Sequence, residues 1–254
     1  MSVAPASALS LSGVTKAFGG LRAVEDVSLE IQPGERRAII GPNGAGKTTL
    51  FSLISGEQAP TGGRIALFGR DVTRLAPHRR AALGLARTYQ ITNLFPKLSV
   101  LDNCLLAVQA LSPVKLHLHR PLSRYPALFE RAERLLASVG LLAKRGAPVR
   151  DLSHGEQRQL EIALALAGAP RLLLLDEPTA GLALAESQMM TALLKGLDPA
   201  ITILIIEHDM AVAFELTDRV TVLHYGRVLA DGSAAEVRAN PLVQEIYLGT
   251  MGTM

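Results

Sequence analysis

The chain has a single cysteine, Cys104, among its 254 residues. No internal disulfide can form, which fits a reducing compartment, and Cys104 reads as a small buried apolar residue. Long hydrophobic runs are also missing, although 48% of the residues are hydrophobic and the mean hydropathy is +0.26. The most apolar stretch, Ile162 to Leu175, is interrupted by Gly168, Pro170 and Arg171. The next, Ile201 to Ile206, is long enough only for a buried strand. Neither approaches the roughly 18 uninterrupted apolar residues of a membrane-spanning helix. Clusters of basic residues are lacking as well. The net charge is +3 and the Lys and Arg residues are spread along the chain, which argues against a nucleic-acid partner. Met1 to Ala8 shows no basic segment followed by an apolar one, so no secretory signal is expected there. Charged residues make up 19%, and with so much apolar content global disorder is excluded. The high hydropathy is instead expected to come from a parallel sheet buried on both faces, whose strands read as continuous apolar runs.

What is present is an alternation of strand and helix patterns. Leu9 to Ile31 reads as two strands joined at Gly19-Gly20. Arg37 to Ile40 is a short apolar strand that runs into a glycine-rich segment, after which Leu50, Leu53 and Ile54 mark one face of a helix beginning near Gly46. Gly62-Gly63 is a turn before a strand at Arg64 to Phe68, and Leu85 to Tyr89 reads as another strand. From Val100 to Val149 the spacing turns helical, with Leu101, Leu105 and Leu106 and then Leu128, Ala132, Leu135, Leu136 and Val139, which predicts a separate helical lobe. Beyond it, helices are expected at Gly155 to Ala167, Glu186 to Lys195 and Ala211 to Leu216. Strands are expected at Leu172 to Leu175, Ile201 to Ile206 and Val220 to Leu223. Alternation of this kind implies an α/β fold with a parallel sheet covered by helices. No internal repeat interrupts it.

The glycine-rich segment is Gly41-Pro42-Asn43-Gly44-Ala45-Gly46-Lys47-Thr48-Thr49, a full match to G-x-x-x-x-G-K-[ST]. Polyphosphate is densely anionic. Glycines let successive backbone N–H groups turn onto its oxygens, and the following helix aims its N-terminus at the same charge. Lys47 supplies a point charge for the β- and γ-phosphates, and the Thr48 hydroxyl is suited to Mg²⁺. A dinucleotide pattern fails, because its third glycine falls on Thr49. Leu172 to Leu175 is an apolar strand ending in Asp176-Glu177. Asp176 is the candidate metal ligand and Glu177 the candidate general base. Ile201 to Ile206 ends in Glu207-His208-Asp209. If the strands are parallel, His208 shares the rim with Lys47 and Asp176 and can reach the γ-phosphate. Taken alone, it is better read as a histidine near a helix start.

Leu152-Ser153-His154-Gly155-Glu156, ahead of the acidic strand, resembles the LSGGQ signature of ABC ATPases. Gln90, closing Arg87-Thr88-Tyr89-Gln90, resembles the Q-loop; His208 resembles the switch histidine and Phe18 the aromatic that stacks on adenine. The chain is therefore identified as a member of that family. The resemblance implies a P-loop NTPase fold with a RecA-like core, an N-terminal antiparallel β subdomain and a helical subdomain. As one ABC ATPase domain over residues 1–254, it would carry the core and β subdomain in 9–90 and 171–254, and the signature-bearing helical lobe in 91–170. It implies ATP and Mg²⁺ as cofactors, with Thr48, Gln90 and Asp176 toward the metal. It also implies a head-to-tail pair in which Ser153, His154, Gly155 and Glu156 face the nucleotide of a second ATPase subunit. Membrane-spanning permease subunits are implied partners, docked through a coupling helix on the lobe at Ile91 to Asn103. A solute-binding protein is implied indirectly, and the placement is peripheral, on the cytoplasmic face of the membrane.

Gly155 to Ile162, Thr179 to Leu182, Ile206 to Met210 and the end Asn240 to Gly249 are similar to the larger ATP-binding subunit of branched-chain amino acid importers. Urea-type importers, lipopolysaccharide-type exporters and soluble ABC ATPases acting on nucleic acid or ribosomes remain alternatives. Three positions depart from the family pattern. His154 and Glu156 differ from the LSGGQ consensus, and Ala183 stands where the D-loop carries Asp, Ser or Asn, a position that bears on coupling between the paired sites. His117-Leu118-His119 has too few partners for a metal site and is expected in a loop. The apolar tail Leu242 to Leu248 has helical spacing and is expected to pack on its own domain.

Overall fold

The computed structural model describes residues 6–88, 94–112 and 121–251. The chain falls into two compact units. The first comprises Met1–Arg87, Arg171–Glu177 and Leu197–Met254; the second comprises Thr88–Pro170 and Pro178–Gly196. In chain order the elements begin β1 (Leu9–Phe18), β2 (Leu21–Ile31), β3 (Arg36–Ile40), α1 (Lys47–Ser55), β4 (Gly62–Leu67), β5 (Arg70–Asp71), α2 (Pro77–Ala81) and β6 (Leu85–Arg87). Helices α3 (Val100–Ala110), α4 (Pro126–Ser138) and α5 (His154–Leu166) follow, then β7 (Leu172–Asp176) and α6 (Leu184–Lys195). The chain ends with β8 (Thr202–Ile206), α7 (Met210–Leu216), β9 (Arg219–His224), β10 (Arg227–Ser233), α8 (Ala234–Ala239) and α9 (Pro241–Met251).

The first unit holds two sheets. One is antiparallel, in the order β2-β1-β4-β5; the other has the order β10-β9-β3-β8-β7-β6. Strands β7 and β8, and the end of β3 from Ala38 to Ile40, read as apolar runs, and the reason is visible in their burial. Ile39, Ile40, all four leucines from Leu172 to Leu175, and Leu204 and Ile206 have 0% exposure. Such strands are covered on both faces, as parallel strands are. Their core includes Leu50, Phe51, Leu53 and Ile54 of α1 and Leu9, Val27, Ile31 and Ile65 of the antiparallel sheet.

The parallel pairings expected from the alternation are present at β3–β8, β7–β8, β6–β7 and β3–β9. The edge is different, because β10 runs antiparallel to β9. A tight turn at Tyr225-Gly226 makes the hairpin, with φ of 45° and 77° at its two central residues, the positive pair that suits a two-residue hairpin. The hydrophobic pattern does not announce β10, because Gly232 is its one buried residue. Helix α2 likewise escapes periodicity, being five residues long.

The second unit is helical. Helix α3 starts at Ser99, whose hydroxyl accepts from the Asp102 N–H, and α4 starts at Pro126. The buried face of α3 is Val100, Cys104, Leu105 and Val108, whereas Leu106, expected on that face, is 42% exposed. The three-and-four spacing is satisfied by 100, 104 and 108, which leaves 106 on the opposite side. In α4, Leu128, Ala132 and Leu136 are buried as the spacing predicts. Among the described residues no helix is long and apolar enough to cross a membrane. His117-Leu118-His119 lies outside the described residues.

Candidate nucleotide-binding and hydrolysis site

The order of the parallel strands brings the candidate residues of the first unit together. Strand β8 lies between β3 and β7, and Ile206 pairs with both Ile39 and Asp176. The segment after Ile40, the pair Asp176-Glu177 and the segment after Ile206 therefore leave the sheet at one edge, the carboxyl ends of the strands. Ligand sites of open α/β sheets form at that edge.

At the end of β3 the chain enters the loop Gly41 to Gly46 and then α1. A Cβ on Gly41 would lie 2.2 Å from the Leu223 carbonyl oxygen, and one on Gly46, whose φ is 100°, would lie 2.3 Å from that of Ala23. Glycine is thus dictated at both ends of the loop by backbone packed against it. The loop is tied further by the Ala45 N–H donating to the Pro42 carbonyl at 3.1 Å and the Gly226 N–H donating to the Ala45 carbonyl at 3.0 Å. Asn43, Gly44 and Thr48 remain exposed, while Gly41, Ala45 and Lys47 are buried and Pro42, Gly46 and Thr49 half-buried. The Lys47 ammonium donates to the carbonyls of Gly41 at 2.6 Å and Pro42 at 3.1 Å. Burial lowers its pKa, against the opposing fields of Glu177 and Asp176, which raise it. Among the described residues no anionic side chain is within bonding distance of the Lys47 ammonium, an arrangement suited to receiving an anion.

Asp176 ends β7 with 2% of its surface exposed. Burial raises its pKa, and the Arg87 hydrogen bond and charge, with Lys47, pull it back down. Arg87 Nη2 donates to Asp176 Oδ2 at 3.0 Å, from a side chain that also bonds Ser52, Ser55 and Glu57. Glu177 has φ of 50°, a left-handed conformation that costs energy for a residue with a side chain. Its N–H is anchored on the Ile206 carbonyl at 3.0 Å. Its carboxylate Oε1 is 3.2 Å from His208 Nδ1. The histidine is about half exposed and the glutamate mostly covered. Phe18, at the end of β1, is 48% exposed, with the Lys16 ammonium 5.0 Å from its ring centroid. Gln90 lies outside the described residues.

The signature residues lie in the second unit. Ser153 caps α5 in a reciprocal box, its hydroxyl accepting from the Glu156 N–H at 3.2 Å and its N–H donating to Glu156 Oε2 at 3.0 Å. Glu156 has a lowered pKa. Burial pushes it up, but the Lys144 ammonium and the Ser153 N–H together outweigh that. The Ser153 hydroxyl also donates to Glu186 Oε1 at 3.0 Å. The other oxygen of Glu186 accepts from the Ala183 N–H at 3.3 Å. One carboxylate thus ties the signature serine to the start of α6, where Ala183 has no side-chain acceptor of its own. A cavity of about 180 Å³ lies here, lined by Ser153, Gly155, Glu156, Gln159, Glu186 and Met189 among others. His154 is exposed.

Two of these participants, Arg87 and Glu186, are not legible as site residues in the sequence. Arg87 is 89 positions from Asp176 and Glu186 is 33 from Ser153. The signal for Arg87 is the strand order. Once β6 and β7 are known to pair with Arg87 opposite Leu174, Asp176 is the diagonal neighbour on the same face.

Residues 24–180 match the family model "ABC transporter", and residues 227–252 match "Branched-chain amino acid ATP-binding cassette transporter". The chain is 39% identical over 250 residues to the high-affinity branched-chain amino acid transport ATP-binding protein LivG of Salmonella typhimurium, covering 95% of this chain and 97% of that one. It is 38% identical over 251 residues to BraF of Pseudomonas aeruginosa, described in the same words, with the same coverage. Among solved structures, the ADP conformation of MJ1267, an ATP-binding cassette of an ABC transporter, superposes with a TM-score of 0.84 at 29% identity, covering 96% of this chain and 99% of that one. With a phosphate-loop strand and an acidic strand flanking β8, and a serine-capped signature helix between them in sequence, the chain belongs to the ABC transporter family as one of its ATP-binding, ATP-hydrolysing subunits.

Proposed function

We propose that this ATPase energises import of branched-chain or other hydrophobic amino acids, together with permease subunits in the membrane and a second ATPase subunit. The carrying observation for the chemistry is the sheet register that places the Gly41 loop, Asp176-Glu177 and His208 at one edge, with Glu177 and His208 3.2 Å apart. For the solute, the support is the C-terminal match at residues 227–252 together with the names of LivG and BraF.

In this reading the backbone N–H groups of Gly44 to Thr49 and the N-terminus of α1 receive the phosphates, and Phe18 offers its exposed ring to the adenine. Lys47 exchanges its loop carbonyls for phosphate oxygens. A magnesium ion fits the residues present, because a hydroxyl on Thr48 and a carboxylate on Asp176 are hard oxygen donors. Among the described residues no cluster of three or more His, Cys, Asp or Glu forms an all-protein cage. When bound, the ion supplies positive charge shared with the phosphates. Thr48, Asp176 and Gln90 are the residues that would hold it. Glu177 takes a proton from the attacking water as its oxygen adds to the γ-phosphorus; the bond to the bridging oxygen breaks, leaving ADP and inorganic phosphate. His208, with Nδ1 3.2 Å from the Glu177 carboxylate, orients that carboxylate and reaches the γ-phosphate. Ser153, His154, Gly155 and Glu156 serve the nucleotide held by the second subunit. The protein is then a peripheral one on the cytoplasmic face.

The test uses the assembled transporter. Lys47→Ala abolishes ATP turnover, and Glu177→Gln lowers it by at least ~100-fold while retaining ATP in a closed pair of ATPase subunits. Normal turnover by either variant would remove that residue from its role. Purification of the complex with its solute-binding partner, followed by uptake of labelled leucine, valine and urea and by extraction of labelled lipopolysaccharide in parallel, decides the cargo.

A further inference from the structure

We propose that Arg87 is a positioning residue of the hydrolysis site, whose guanidinium fixes the Asp176 carboxylate in the orientation that a nucleotide-bound magnesium ion meets. The argument rests on geometry within the first unit and on the reading of Asp176 as a metal ligand. Asp176 and Arg87 form an ion pair at 3.0 Å in which both side chains are buried, 2% and 7% exposed. A buried carboxylate at the end of an apolar strand needs a partner that pairs its charge and satisfies its oxygens. Lys47 is near enough to contribute electrostatically, but its ammonium is bonded to the loop carbonyls of Gly41 and Pro42. Arg87 is in hydrogen-bond contact with the carboxylate.

The guanidinium is itself held. Its Nη1 reaches Ser52 Oγ at 3.3 Å, Ser55 Oγ at 3.1 Å and Glu57 Oε2 at 3.0 Å, and its Cζ is 5.8 Å from the centroid of the Phe51 ring. Ser52 and Ser55 lie on α1, the helix whose first turn carries Lys47 and Thr48. The planar fork therefore spans two elements, with one nitrogen on the helix that begins at the phosphate loop and the other on the acidic strand. A lysine amine offers a point charge without that fixed spread. By engaging Oδ2, Arg87 fixes the carboxylate plane and with it the direction of Oδ1. The pair also lies where the chain leaves the first unit, since Arg87 and Glu177 are the last residues before its two exits into the second.

A purely structural staple would make the same contacts, so the test separates stability from metal-dependent binding. Affinity for a fluorescent ATP analogue is measured on the full chain with Mg²⁺ and with EDTA, alongside thermal unfolding, for wild type, Arg87→Gln and Arg87→Lys. The expected result for Arg87→Gln is at least a ~10-fold loss of affinity in Mg²⁺, the range found when a partner of a metal ligand is removed, with a change below about twofold in EDTA. Arg87→Lys restores part of that loss. Equal losses with and without Mg²⁺, or an unchanged Mg²⁺ dependence in Arg87→Gln, overturn the proposal and leave Arg87 a staple. If Arg87→Gln does not fold, Arg87→Lys is decisive by itself, a Mg²⁺-specific loss supporting positioning and its absence overturning it. A wild-type chain that binds the analogue equally with and without Mg²⁺ would instead overturn the assignment of Asp176, and the Arg87 proposal with it.

Discussion

Cys104 sits on the inner face of α3 with no exposed surface, and burial pushes its thiol up to about 12. The thiolate is the reactive form, so native Cys104 is inert at neutral pH. Iodoacetamide at about pH 8 is expected to leave the folded chain unmodified and to alkylate it fully in denaturant; stoichiometric labelling of native protein would contradict the packing of α3. Linkage gives a second consequence. The folded pKa stands above the ordinary value of 9.0, so the unfolded chain loses this proton first. The associated stability is complete below about pH 9 and declines as pH rises toward about 12. Cys104→Ala removes that part of the alkaline decline, checked by urea unfolding on either side of about pH 9. Glu177 shows the other side of residue-scale physics. Its left-handed backbone is unfavourable locally and is held by the Ile206 carbonyl, which fixes the carboxylate beside His208.

Strands and helices contribute unequally, and magnitudes separate them. Leu174, with 0% exposure, lies at the centre of β7 between β6 and β8. Leu174→Ala is expected to cost about 2–5 kcal/mol, because the surrounding strands cannot collapse into the cavity. Ser153→Ala removes a cap and is expected to cost about 0.5–2 kcal/mol, even though the same hydroxyl also engages Glu186. Denaturant titrations of both variants test the ordering, and a cap loss larger than the core loss would show that the Ser153–Glu186 link carries much of the second unit. That link bears on the Ala183 position. Ala183 cannot cap α6, and Glu186, three residues on, reaches back to its N–H while holding Ser153. The connection between the signature and this segment is made by a carboxylate that no signature pattern contains.

For the whole molecule, nucleotide binding couples to folding. A ligand held at 100 times its dissociation constant adds about 2.7 kcal/mol to the folded state. In a chain of this length that corresponds to a rise of roughly 5–10 °C in the thermal midpoint. Mg²⁺–ATP is expected to produce that shift in the wild type and not in Lys47→Ala, measured by scanning calorimetry; an equal shift in the variant would place the nucleotide elsewhere. The residues that meet the phosphates in this reading all lie in the first unit, whereas Ser153, His154, Gly155 and Glu156 lie in the second. In the proposed head-to-tail pair the signature contribution comes from a second subunit, and the variant phenotypes of the two groups are then expected to complement one another in a mixed pair.

Much of this was present in the order of residues. The loop from Gly41 to Thr49, the apolar strand ending at Asp176-Glu177 and the signature at Ser153 are each contiguous, because backbone cradles and strand ends are built from neighbours in the chain. The α/β alternation was legible for the same reason, since β7, β8 and the Ala38–Ile40 part of β3 are buried and carry apolar side chains in succession. What lay beyond the sequence depends on pairings across distance. The antiparallel β10 only half-buries its short apolar run Val228 to Ala230, too weak a pattern to mark a strand by itself. The placement of β8 between β3 and β7 is a choice of strand order, and it is what puts His208 against Glu177. The Arg87–Asp176 and Ser153–Glu186 contacts follow from sheet register and from helix packing respectively. Local pattern determined which elements form and which of them carry the chemistry. Only the tertiary structure decided which side chains share a charge, because a buried carboxylate takes whichever partner the fold delivers within hydrogen-bond reach.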